Sequence, residues 1–86
     1  MSGPVDVERV VHQIICDILG QTPDELGTEQ PLAAHGWDSL ASLEGLALLE
    51  SALGVTLDLR AFHAAHTVRQ MADLVASELT LKANTR

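Results

Sequence analysis

Eighty-six residues set the size of one small domain, with no room for a second core. Hydrophobic residues make up 47% of the chain, which excludes a disordered tail, and one Trp, one Phe and no Tyr leave a core that must be aliphatic. Twelve acidic against five basic residues, a formal net charge of −7, argue against nucleic acid and anionic membranes as partners and favour basic protein surfaces and a soluble monomer.

From Val7 the apolar residues fall at Val7, Val10, Val11, Ile14, Ile15 and Ile18. Those offsets of three and four mark one face of an amphipathic helix, and the β-branching is not accompanied by strand-like alternation. Asp6, Glu8, Arg9, Gln13 and Asp17 supply the wet face, and Gly20 is the stop. The lone cysteine, Cys16, rules out an internal disulfide framework and suits a reducing compartment. With no signal-peptide pattern and no apolar run of membrane-spanning length, the cytoplasm is the expected location.

Residues 21–37 carry little periodicity. Thr22-Pro23-Asp24-Glu25 is a capping box with proline at the first helical position, yet Gly27 and Pro31 limit it to about a turn. This predicts a long ordered loop pinned by Leu26 and Leu32, and loops of this length are often functional. A second helix is expected from about Ser39 to Leu53, roughly 22 Å long at about 1.5 Å per residue, with Asp38 as N-cap. Leu46, Leu49 and Leu53 form its expected core stripe. Leu40, Leu43 and Ala47, flanked by Glu44 and Glu50, form a second stripe that so small a bundle cannot bury, and it is expected to face a partner.

Gly54 ends that helix, Val55 to Asp58 link onward, and Leu59 to Ala65 is a short helical segment. Thr67-Val68-Arg69-Gln70 is a second capping box, opening a last helix with Val68, Met71, Ala72, Val75 and Leu79 on one face. The fold class predicted is all-α: three main helices, a short third one, and a long first connection. The domain spans 5–80, with residues 1–4 and 81–86 as short flexible ends.

Asp38 at the N-cap directs the Ser39 hydroxyl outward, and a helix start favours an added anion. By helix logic alone, a second capping serine is the simpler account of Ser39. Catalysis fares worse, because an activated serine needs a base within reach and a group orienting that base. His35 lies four residues upstream without an orienter, and the Gly-x-Ser-x-Gly turn is absent. The chain is therefore not expected to be an enzyme.

Gly36-Trp37-Asp38-Ser39-Leu40, followed by Glu44, resembles the 4'-phosphopantetheine attachment motif of acyl carrier proteins. The similarity extends from about Val5 to Leu79 through the first helix, the Pro31-Leu32 loop, Val55-x-Leu57, the short third helix and Thr67-Val68. The resemblance implies a right-handed four-helix bundle with the arm on Ser39, flanked by Asp38 and Leu40, and attached from coenzyme A by a phosphopantetheinyl transferase. It implies a docking face of Leu40, Leu43, Glu44, Ala47 and Glu50 beside the arm. Trp37 reads as a loop anchor against the bundle, with contact to the arm or a partner enzyme as the alternative. Ketosynthase, acyltransferase or adenylating enzymes would be its clients.

The chain departs from the common pattern at Ala41 and Ser42, where polar or acidic residues are frequent, and at Gly45, where a larger aliphatic residue is usual. Arg60, His63 and His66 also replace the acids of fatty-acid carriers. The partners should rely less on pure charge. One glycine before the motif and no aromatic residue in the upstream loop favour a polyketide-type acyl carrier over an aminoacyl or peptidyl carrier of a nonribosomal pathway. An unmodified acidic interaction module is the third reading. Met1 close to the domain start suggests a free-standing protein. Gly45 has two readings: close helix packing, or space for cargo in the core. The pairs His12/Cys16 and His63/His66 have metal-ligand spacing, but two ligands do not make a structural site, and no metal is expected.

Overall fold

Asp6 caps α1, Val7–Leu19, by accepting the Arg9 N–H at 3.2 Å, and the helix stops at Gly20. Three more helices follow in this computed structural model, which describes residues 6–84: α2, Ser39–Leu53; α3, Leu59–Ala64; and α4, Val68–Asn84. A single 3-10 turn at Leu32–His35 interrupts the first connection. The expected loose ends at 1–4 and 85–86 lie outside the described residues. Residues 81–84, expected in the flexible tail, continue α4, in keeping with the strong helix propensity of Leu, Lys and Ala.

The core is aliphatic around two rings. Val11, Ile15 and Cys16 of α1 meet Val68, Met71, Ala72 and Val75 of α4, with Leu49 and Phe62 completing the bundle. Each capping box makes one of its two reciprocal bonds. Thr22 N–H donates to Glu25 Oε1 at 2.8 Å, holding a turn at residues 23–25 that never becomes a helix. Gln70 N–H donates to Thr67 Oγ1 at 3.1 Å, while Gln70 Oε1 accepts from His66, one residue before the cap.

The long loop is tied down at each end of its path. Leu26 and Leu32 are buried. The His12 ring donates from Nε2 to the Leu26 carbonyl at 2.6 Å, Arg69 N–H donates to Thr28 O at 2.9 Å, and Leu32 N–H donates to His66 O at 2.8 Å. These bonds satisfy loop backbone that would otherwise be stranded against the bundle. They also hold residues 32–38 at the top of α2, where the candidate site begins.

α2 packs differently from the expected stripe. Its fully enclosed residues are Ala41, Ser42, Gly45 and Leu49, whereas Leu46 and Leu53 are only partly buried. The expected stripe is therefore present but half-covered at Leu46 and Leu53, which pack against the core, and the enclosed face extends to Ala41, Ser42 and Gly45, where the rings of Trp37 and Phe62 lie close to the helix.

Candidate functional site

The site starts with a turn. Gly36 adopts φ +88°, a conformation that L side chains rarely adopt, and its N–H closes onto Ala33 O at 3.3 Å. That reversal sends Trp37 inward and leaves Asp38 extended at the head of α2. The indole is 9% exposed and stands edge-on to Phe62, with centroids 6.4 Å apart. A Cβ at position 45 would lie 3.0 Å from Trp37 Cη2, 3.4 Å from Phe62 Cε2 and 3.5 Å from Ile18 Cδ1. Gly45 is therefore the floor on which the indole rests. The space there is filled, which corrects the expectation that it might receive cargo. Trp37, also expected among the partner contacts, sits with the core because its ring occupies that space.

Asp38 Oδ1 accepts the Ala41 N–H at 2.8 Å, satisfying one of the free donors of α2. Ser39 follows as the first helical residue. It is exposed, and its hydroxyl makes no hydrogen bond to any described group. A serine–histidine hydrogen bond does form nearby, between Ser42 Oγ and His63 Nδ1 at 2.7 Å. Ser42 is completely buried, so this pair joins α2 to α3 instead of presenting a nucleophile. His35 makes no bond to Ser39.

Beside Ser39 a groove of about 210 Å³ runs between Leu43 of α2 and Leu59, Arg60 and His63 of α3. Sequence spacing could not reveal that α3 completes this wall, because the contacts cross some twenty residues. The expected docking residues separate into two groups. Leu40, Leu43, Glu44 and Ala47 share an exposed face of α2 with Ser39. Glu50 is half-buried, and its Oε2 accepts the Leu57 N–H at 2.8 Å, pinning the link to α3. Cys16 is buried, and burial, reinforced by Asp17 and Glu25, raises its thiol pKa above the ordinary value. That keeps it a thiol and chemically quiet.

Residues 9–75 match the family described as "Phosphopantetheine attachment site". The chain belongs to that family of carrier domains. It is 37% identical over 67 residues to the polyketide synthase PksR of Bacillus subtilis, a match covering 78% of this chain and 3% of that protein. It is 32% identical over 73 residues to the polyketide synthase ThaG of Burkholderia thailandensis, covering 85% of this chain and 1% of that one. The chain thus spans a small fraction of the length of these relatives. The NMR structure of the HMG-ACPI domain from the CurA module of Lyngbya majuscula superposes with a TM-score of 0.79 at 17% identity, over 98% of this chain and 91% of that one. The four-helix architecture of the carrier is therefore the acyl-carrier fold, and the family's cofactor is covalent 4'-phosphopantetheine. Among the described residues, no helix is long and apolar enough to cross a membrane.

Proposed function

We propose that Ser39 carries the 4'-phosphopantetheine and that the domain serves as an acyl carrier in polyketide assembly. The observation that carries this reading is the Ser39 hydroxyl, exposed and unbonded at the start of a fifteen-residue helix within the family match. The residues around it fit the group. A phosphodiester on Ser39 gains from the positive end of α2, and the groove alongside offers apolar walls to the arm. The other serines of the described helices fit less well: Ser42 is buried and bonded, while Ser51 and Ser77 lie far from a helix start.

When bound, the group supplies a thiol on a flexible arm, which holds acyl cargo as a thioester and raises its effective concentration at a docked enzyme. The chain's own part is presentation. Asp38 fixes the first turn of α2, and Leu40, Leu43 and Ala47 offer apolar contact to a partner. Glu44 steers basic surfaces toward that contact. The base that activates the Ser39 hydroxyl comes from the transferase, since no described side chain is bonded to it. Expected partners are a phosphopantetheinyl transferase, then ketosynthase and acyltransferase enzymes in the cytoplasm, meeting a monomeric, non-catalytic carrier.

Intact-mass measurement after incubation with coenzyme A and a broad-specificity transferase tests the reading. The wild type should gain one phosphopantetheine and Ser39→Ala none, and an equal gain on the variant overturns the assignment. Because Cys16 is buried, a thiol reagent should find no fast-reacting thiol before modification and one afterwards. Loading by an adenylating enzyme with an amino acid, and not by an acyltransferase, would move the carrier to a nonribosomal pathway.

A further inference from the structure

The acids of this chain avoid one region of its surface. No Asp or Glu occurs from Gln30 to Trp37 or from Leu59 to Ala72, although twelve are spread over the rest of the sequence. The fold joins these two stretches: Leu32 N–H donates to His66 O at 2.8 Å, and Trp37 stands edge-on to Phe62. Together they carry two arginines and three of the four histidines, His35, His63 and His66. Arg69 is already paired with Glu8 and Glu29 at 3.6 and 3.8 Å. Arg60 is exposed and makes no ion pair with a described carboxylate. The neighbouring acid, Asp58, caps α3 and accepts the Arg60 backbone N–H at 3.0 Å.

A cavity of about 260 Å³ opens in the middle of this region, lined by Leu32, Ala33, Trp37, His63, Ala65 and His66. Arg60 lies three residues before His63 on α3, the spacing that puts two side chains on one helix face. We infer that α3 and the 3-10 turn together dock an acidic segment of a partner protein. The segment sets one aliphatic side chain in the cavity and its carboxylates against Arg60 and the imidazoles of His63 and His66. Charge complementarity selects this occupant. A basic segment is drawn to the acids on the rest of the surface, whereas in this region a carboxylate faces a guanidinium and two imidazoles. An exposed arginine–carboxylate pair contributes little by itself, so the buried side chain supplies the affinity and the charges supply the choice of partner. With Glu44 exposed on α2 and Arg60 on α3, the faces on either side of Ser39 attract opposite charges. A partner matched to both is held in one orientation.

The test titrates the full, unmodified chain with three short peptides of equal length: leucine with glutamate, leucine with lysine, and alanine with glutamate. Amide chemical shifts map the contact, and the emission of Trp37, the sole tryptophan, reports on the cavity. The leucine–glutamate peptide should shift the amides of Arg60, Ala64 and His66 and change the emission, and its binding should fade at high salt. The leucine–lysine peptide should leave those signals in place. The alanine–glutamate peptide, which lacks the side chain for the cavity, should bind about tenfold more weakly. Arg60→Glu should weaken the leucine–glutamate peptide about tenfold, and Arg60→Lys should not. Ala33→Glu, which sets a carboxylate in the exposed cavity lining, should weaken it alike. If Arg60→Glu loses its helical circular dichroism, Ala33→Glu decides in its place. Unchanged binding in a folded charge variant, shifts confined to α2, or equal binding of the leucine–lysine peptide on this face overturns the inference. So does a doubled mass for the chain alone that Arg60→Glu abolishes, since the face would then belong to a second copy. No coenzyme A is used, so these outcomes are independent of whether Ser39 is the attachment point.

Discussion

α1 and α2 are neighbours in the bundle and handle their apolar residues in opposite ways. α1 buries its bulk: Val11, Ile15 and Cys16 are inside, and its polar residues other than His12, which is bonded to the loop, lie toward water. α2 encloses Ala41, Ser42 and Gly45, with Leu49 as its one large fully buried residue, and leaves Leu40, Leu43 and Leu48 at 73%, 49% and 44% exposure. The bulk beside α2 comes instead from Trp37 in the loop and Phe62 in α3. A helix built only for stability would turn its leucines inward. Exposing Leu40 and Leu43 next to Ser39 forgoes burial in the isolated domain and leaves a contact surface for enzymes that must reach that residue. α1 is a structural helix. α2 is a presenting helix braced from behind by borrowed aromatic rings.

Removing the brace should have the largest effect. Trp37→Ala empties the space over Gly45, and such truncations cost about 3–5 kcal/mol, most of the stability of so small a domain. Urea denaturation followed by circular dichroism should show a midpoint near zero denaturant. Gly45→Leu added to that variant should restore part of the loss, because the new side chain enters the vacated space. Trp37→Phe should cost much less, since it keeps a ring and removes an indole N–H that is buried without a partner among the described residues.

The outer face should respond in the opposite currency. Leu43→Ala is expected to leave stability within about 0.5 kcal/mol, as exposed sites do. It should lower kcat/KM of the phosphopantetheinyl transferase about tenfold, the size of loss expected for one apolar contact at an interface centre. Leu40→Ala should act alike. A large loss of stability with unchanged transfer would place these leucines with α1's structural residues and erase the distinction between the helices.

How much of this was legible follows the same division. α1 announces itself, because its core face repeats at offsets of three and four, and that one broad strip serves both α4 and α2. The caps Asp38 and Thr67 were also readable, since capping is local chemistry, whereas Asp6, which reads from spacing as part of the wet face, is the N-cap of α1. α2's boundaries followed from Asp38 and Gly54, but its inward face only in part: Leu49 lies in the expected stripe, whereas Ala41, Ser42 and Gly45 do not. Small residues carry no periodic signal, and Gly45 is explained only by a ring eight positions upstream. Glu50 reads as a docking acid, and nothing local marks its bond to the Leu57 N–H. His63 and Ser42 are twenty-one residues apart, and a groove wall made by such a pair has no mark in either local segment.

Gly45→Ala sharpens the contrast on a smaller scale. Helix propensity alone favours alanine by about 1 kcal/mol. The added Cβ would stand 3.0 Å from Trp37 Cη2, with Phe62 and Ile18 preventing an easy retreat. Overpacking costs about 1–3 kcal/mol, so a net loss of about 1 kcal/mol is expected by thermal or urea unfolding. A gain in stability would mean that the indole is mobile and the brace loose.

The smallest effect separates two glutamates six residues apart on the same helix. Glu50→Ala removes the acceptor for the Leu57 N–H and should cost about 1 kcal/mol of stability. Glu44→Ala touches no described partner and should cost almost none. The order reverses when partner association is measured. Glu44 contributes long-range attraction to basic surfaces, so its loss should slow association modestly at low salt and vanish as a difference at high salt, where screening is complete within a few ångströms. Glu50, committed to the backbone of the α2–α3 link, should affect association only through the position of α3. Equal salt dependence for the two variants would show that charge on α2 acts as a diffuse field. In that case Glu44 would lose its separate standing as a steering residue beside the leucines.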